Sequence, residues 1–202
     1  ELCDILIVCD PDIVIFSVKE IGVTNSGDLS TDWARWRKRA IEKSVGQIYG
    51  AERWIENASH VVRNDDSEGL AFPDLGNRRI HRIAVALGGE GKMPIQFGDF
   101  GKGFVHVFDD ISFQIIMSEL DTITDFVRYL VAKEELYQSG INTIFKGGEE
   151  DLLAFYLDHG KKFPKNYFVC VIDDNLWSSF ISKTGYRAKK NADDDSYVWD
   201  RL

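Results

Sequence analysis

Two apolar runs near the N-terminus constrain the fold of this chain more than any other feature. Residues 4–9 (Asp-Ile-Leu-Ile-Val-Cys) and 13–19 (Ile-Val-Ile-Phe-Ser-Val-Lys) are rich in β-branched side chains and are separated only by Asp10-Pro11-Asp12. Runs of that length bounded by turn residues read as strands, and proline presets the φ angle that a tight turn needs. The pair predicts a buried antiparallel hairpin. The fold class that follows is α/β, with a central mixed β-sheet flanked by helices.

The remainder of the chain supplies the other elements. Residues 22–31 read as a loop, and Thr31 or Asp32 can cap a helix over about 33–57, where Trp33, Trp36, Ala40, Ile41, Val45, Ile48 and Ile55 recur at helical spacing. A polar loop is expected at 64–77, a strand at 79–87, a glycine-rich stretch at 88–103 and a strand from Phe104 to Phe108. Ile115, Ile116, Leu120, Ile123, Phe126, Val127 and Leu130 predict one amphipathic helix over 112–137. Short helices at 149–158 and 175–182 bracket a strand at 167–172, and 189–195 is a charged loop. No repeat or low-complexity linker interrupts the chain, so one domain over residues 1–202 is expected. Because Glu1 leads at once into a strand, the sequence reads as an excised part of a longer protein with a helix before it.

Composition narrows the classes of function. Apolar residues make up 44% and charged residues 28%, which suits a packed core. A net charge of −9 argues against a protein that coats nucleic acid by overall charge, though not against an enzyme with a local basic patch. Cys3, Cys9 and Cys170 form no CxxC pair, and Cys3 and Cys9 read as small core residues, so a reducing cytoplasm is expected. No run approaches the roughly 20 apolar residues of a membrane span.

Strand alternation places Ser17 and Lys19 on one face with Ile13 and Ile15. In a tight antiparallel hairpin the start of the first strand meets the end of the second, which brings Asp4 towards Ser17 and Lys19. One carboxylate, one hydroxyl and one ammonium then share one end of the sheet. Such a group can hold Mg²⁺ with waters and a substrate phosphate, while the ammonium orients a water or balances phosphate charge. The plainer reading is that strand ends reach solvent and carry charge for that reason alone.

Glu1-Leu2-Cys3-Asp4-Ile5-Leu6-Ile7 followed by Ile13-Val14-Ile15-Phe16-Ser17-Val18-Lys19 resembles the core of the PD-(D/E)XK nuclease superfamily, most closely its nuclease-related-domain and Mrr-like branches. The resemblance covers about residues 1–55 and implies a restriction-endonuclease-like core. It implies that Asp4 binds the metal, Mg²⁺ or Mn²⁺, that Lys19 is the catalytic lysine, and that Glu1 is the acid preceding the metal-binding Asp. Ser17 stands where most members carry an acid, so further ligands are sought at Glu1, Glu20 and the Val18 carbonyl. Gln47, within Gln47-Ile48-Tyr49-Gly50-Ala51-Glu52, resembles the glutamine on the helix after the lysine strand, which implies a role beside the site. The plainer reading of Gln47 is a solvated helix residue.

Arg35, Arg37, Lys38, Arg39 and Lys43, interleaved with Trp33 and Trp36, form the clearest basic segment and are the candidate contacts to a DNA backbone. The plainer reading is a solvated helix face with both tryptophans in the core. Arg78, Arg79 and Arg82 form a weaker cluster. The stretch Gly88-Gly89-Glu90-Gly91-Lys92-Met93 fails as a phosphate-binding loop, because Ala86 holds the first glycine position and Met93 and Pro94 follow the lysine. Asp109-Asp110, Asp173-Asp174 and Asp193-Asp194-Asp195 read as turns and caps.

The leading expectation is a metal-dependent nuclease cutting DNA phosphodiester bonds, in restriction, phage defence or repair. Its partners would be DNA and a second copy or further domains of the same chain. The alternative is a catalytically inactive domain of the same fold that binds nucleic acid or protein, and a third reading is an unrelated α/β enzyme with its site in 88–110.

Overall fold

A computed structural model describes residues 2–63, 65–89, 91, 96–165, 167–188 and 190. Cα proximity divides the chain into two compact units, Glu1–Glu134 and Glu135–Leu202.

The first unit opens with the expected hairpin. Strands β1 (Ile5–Cys9) and β2 (Asp12–Glu20) pair antiparallel, with Ile5 opposite Phe16 and Cys9 opposite Asp12. Only β2 is buried on both faces. β1 is the edge of the sheet, Ile5 is 47% exposed, and Cys9 is exposed beside the turn rather than in the core. An edge strand loses the neighbour that would have covered it, which the apolar run alone does not reveal.

The next helix starts earlier than the sequence predicts. Asp28, not Thr31 or Asp32, caps α1 (Leu29–Arg37) by accepting the Ser30 N–H at 3.1 Å. Asp32 turns inward and accepts from Ser26 N–H at 2.8 Å and Thr24 Oγ1 at 2.9 Å, tying the preceding loop down. The Ser26 N–H is the main reason its carboxyl lies below the usual carboxylate range, against the cost of burial. A π-helical segment, Lys38–Glu42, then joins α1 to α2 (Lys43–Ile55). The wider turn admits one extra residue, so Trp36, Ala40, Ile41, Val45 and Ile48 all reach the core.

The expected loop at 64–77 contains part of a small hairpin, β3 (His60–Val62) with β4 (Glu68–Ala71). Strands β5 (Arg79–Leu87), β6 (Gly98–Asp99) and β7 (Phe104–Phe108) complete a five-stranded mixed sheet in the order β1-β2-β5-β7-β6. β2, β5 and β7 run parallel, while β1 and β6 are antiparallel edges. The helix expected over 112–137 is two helices, α3 (Asp110–Glu119) and α4 (Ile123–Gln138). Leu120 leaves helical geometry at φ −111° and ψ 68°, and Thr122 Oγ1 accepts the Asp125 N–H at 3.1 Å. That cap overrides an apolar stripe that runs unbroken through the break.

One face of the sheet packs Ile13, Ile15, Ala84, Ala86, Val105 and Val107 against Trp36, Ile41, Val45, Ile48 and Ile55 of the α1–α2 arm. On the other face Phe16 meets Phe113 of α3 and Phe126 of α4, with ring centroids 6.3 and 6.1 Å away. The sheet is thus flanked by helices on both sides. Among the described residues no helix is long and apolar enough to cross a membrane.

In the second unit β8 (Asn142–Phe145) and β9 (Val169–Ile172) pair parallel, with α5 (Glu149–Asp158) and α6 (Leu176–Ser182). β8 has no counterpart among the expected elements: Asn142-Thr143-Ile144-Phe145 is too short to show alternation. The charged loop expected at 189–195 lies outside the described residues apart from Lys190.

Candidate metal and nucleic-acid site at the end of the hairpin

Asp4, Ser17, Lys19 and Gln47 come together at the carboxyl end of β2. Asp4 precedes β1, and its N–H donates to the Phe16 carbonyl at 3.1 Å, which fixes its register opposite Ser17. Its Oδ2 accepts the Val18 N–H at 2.7 Å and lies 3.7 Å from Lys19 Nζ. Lys19 Nζ donates to Gln47 Oε1 at 2.7 Å, and Ser17 Oγ donates to the same oxygen at 3.0 Å. Four side chains from one hairpin and one helix therefore form a continuous chain of contacts.

The arrangement follows from the elements. β1 begins only at Ile5, so the last residues of β2 have no strand partner on that side, and the Asp4 carboxylate takes the N–H of Val18 instead. In extended backbone the N–H and C=O of one residue face the same way, which directs the Val18 carbonyl to the same edge. On the other side β2 remains paired with β5 through Glu20, with Ala84 and Ala86 beside Ser17 and Lys19. Those small neighbours leave room for α2 to lie close, and Gln47 reaches down from it. In parallel α/β sheets, ligands bind beyond the carboxyl ends of the strands, and that is where this cluster sits.

Its exposure is graded. Ser17 is 0% exposed, whereas the Lys19 and Asp4 side chains keep 30% and 27% of their surface. Both recorded contacts of Asp4 fall on Oδ2, leaving Oδ1 without a hydrogen-bond partner among the described residues. The oxygens open to a hard cation are Asp4 Oδ1 and the Val18 carbonyl, because Gln47 Oε1 already accepts from Lys19 and Ser17. One carboxylate with a carbonyl oxygen suits Mg²⁺ or Mn²⁺ that also takes water and phosphate oxygen. Glu20 is exposed and alternates to the opposite face from Lys19, so it is not part of the cluster. Glu1 lies outside the described residues. Among the described residues no group of three or more His, Cys, Asp or Glu side chains gathers as a metal site.

The basic segment divides. Arg35, Lys38, Arg39 and Lys43 are exposed along the α1–α2 arm. Arg37 is folded down instead, 3.2 Å from Glu42 Oε1 and with its guanidinium 5.7 Å from the Trp33 ring centroid. Trp36 is buried and donates to the Ile21 carbonyl at 2.8 Å, and Trp33 is half-buried against the core. The weaker arginine cluster is structural. Arg78 donates to the carbonyls of Pro73, Ile55 and Ala58 at 2.6, 2.6 and 2.8 Å, Arg79 pairs with Asp12, and Arg82 grips Glu52 with two nitrogens.

The described residues of the 88–110 region form β6, β7, turns and caps. Gly88 adopts φ 86°, and a Cβ there would lie 2.7 Å from the Ile21 carbonyl oxygen. Its N–H donates to the Asp110 carboxylate, and Asp109 caps α3. Lys92, Met93 and Pro94 lie outside the described residues. At the carboxyl end of β9, Asp173 pairs with Lys146 at 2.7 Å.

No protein-family model matches the chain, and no curated protein and no solved structure is significantly similar to it.

Proposed function

We propose that the chain is a metal-dependent nuclease of the PD-(D/E)XK type that cuts DNA phosphodiester bonds. The observation that carries this reading is the contact chain Asp4–Lys19–Gln47–Ser17 at the carboxyl end of β2. A structural pair would need neither the glutamine on Lys19 nor a carboxylate with one oxygen unused among the described residues.

In this reading Asp4 and the Val18 carbonyl would hold Mg²⁺ or Mn²⁺, which when bound would polarise the phosphate and make a water more acidic, while Gln47 holds Lys19 in place. Lys19, held at 2.7 Å by Gln47, places its ammonium where charge grows on the phosphate or where the attacking water must be oriented. Ser17, buried and donating to Gln47, positions that oxygen and does not itself take substrate. Arg35, Lys38, Arg39 and Lys43 supply the local cations that a chain of net charge −9 needs to hold a polyanion.

A second reading, an inactive domain of the same fold that binds nucleic acid, is favoured by the single carboxylate in the described cluster. Plasmid nicking in Mg²⁺ or Mn²⁺ by the full chain separates the two. The nuclease reading expects cutting by the wild type and losses of at least about a hundredfold in Asp4→Ala and in Lys19→Ala. Equal cutting by all three would remove these residues from any mechanism.

A further inference from the structure

The same flank of α2 that presents Gln47 carries a second feature that the cutting mechanism leaves unused. Lys43, Gln47, Gly50 and Trp54 are spaced i, i+4, i+7 and i+11, which aligns them along one side of the helix. Beyond Gln47 the row opens into a hollow of about 650 Å³ lined by Gly50, Arg53, Trp54, Asn57 and His60 among others. Trp54 is 40% exposed, and Phe72 braces it edge-on at 6.3 Å under the Arg78 guanidinium. Arg53 is exposed and makes no ion pair among the described residues.

Gly50 lines the hollow, whereas Gly46, equally open, does not. Glycine inside a helix is unfavourable, and it is normally explained by something packed against it. Here a Cβ would meet nothing within 4 Å. The missing side chain therefore serves no packing need, and it leaves the wall of the hollow beside Trp54 bare. From Gln47 to Trp54 is about 10 Å along the helix axis, a span that a few nucleotides of a strand cover.

Resting on the nuclease reading, we propose that this hollow is a subsite for an unpaired base of the DNA strand, stacked on Trp54 with Arg53 at its phosphate. A braced aromatic ring beside a cation is the usual platform for single-stranded nucleic acid, and it tolerates any base because every base has a π-face. A base paired in a duplex cannot enter, so the subsite selects single strands, frayed ends or flaps.

The test is the anisotropy of a labelled 15-nucleotide strand and of its duplex, in EDTA to prevent cutting, with the full chain and its Trp54→Leu, Gly50→Gln and Lys19→Ala variants. Expected are tighter binding of the single strand by the wild type and losses of roughly tenfold for that strand alone in Trp54→Leu and in Gly50→Gln. Leucine keeps the apolar contact with Phe72, and glutamine favours the helix, so thermal melting at or above the wild-type midpoint shows that unfolding is not the cause. Unchanged single-strand binding in both variants, or equal loss for strand and duplex, overturns the subsite. The two claims fail separately. Cutting that persists in Lys19→Ala with binding lost in Trp54→Leu overturns the catalytic reading and keeps the subsite. Cutting lost in Lys19→Ala with binding unchanged in Trp54→Leu does the reverse, and no single-strand binding by the wild type overturns the subsite.

Discussion

At the start of β2, Asp12 accepts from His81 Nε2 and Arg79 Nη2, each at 2.8 Å, and is 9% exposed. At the other end of the same strand, Asp4 and Lys19 stand 3.7 Å apart with about three-tenths of each side chain in solvent. The residue types are the same, an acid against bases, but the surroundings assign them different work. Asp12 lies opposite Arg79 in the β2–β5 register, so its contacts lock the first residues of two parallel strands and both carboxylate oxygens are used. Asp4 satisfies one oxygen and leaves the other open, beside a lysine held in place by a neutral amide. Charge at a strand end is therefore not informative by itself. Saturation and exposure are what separate a clasp from a site.

The sharpest way to break that contrast is to remove each acid in turn. Asp4→Ala should cost DNA cutting at least about a hundredfold while lowering stability by less than about 1 kcal/mol, since a part-exposed pair contributes little. Asp12→Ala should do the opposite, lowering stability by about 2–3 kcal/mol because a buried histidine and an arginine lose their acceptor, with cutting by the folded fraction unchanged. Urea unfolding and cutting assays on the same preparations read both. Two variants that behave alike would erase the distinction.

A smaller effect is expected at Gln47. Gln47→Ala frees Lys19 Nζ from its 2.7 Å acceptor without removing the charge, so cutting should fall by roughly tenfold. The residual activity should still depend on Lys19. If Gln47→Ala equals Lys19→Ala, the amide does more than position.

The hairpin, its register and the meeting of Asp4, Ser17 and Lys19 were legible in the sequence because strands alternate with a period of two and a tight turn fixes which residues face each other. Gln47 was legible only through family resemblance, since helical spacing cannot say which exposed residue overhangs a strand end. The break at Leu120 was signalled by Thr122 and Asp125, but the apolar stripe through Ile123 and Phe126 masked it. Arg37 shows a different failure. Counting cations predicts a basic face, yet the π-helical segment sets Arg37 against Trp33 and Glu42.

The mildest expected effect concerns the far face of the sheet, where no such site is proposed. His106 is 1% exposed, its Nδ1 has no partner, and burial, then Lys133, His81 and Arg82, hold its pKa well below 6.5. The folded protein thus keeps His106 neutral where the unfolded chain takes up a proton. That contribution to stability is complete above pH 6.5 and is lost as pH falls below it. The unfolding midpoint of the wild type should fall more steeply towards acid pH than that of His106→Leu. Parallel profiles would place the acid sensitivity elsewhere.

The central claim is that a divalent ion sits between Asp4 and the Lys19–Gln47 pair. A crystal of the full chain soaked in Mn²⁺ tests it most directly through the anomalous signal. The account predicts a peak about 2.1 Å from a carboxylate oxygen of Asp4, absent in crystals of Asp4→Ala. A peak lodged elsewhere, with Asp4 still bound only to Val18 and Lys19, would contradict it.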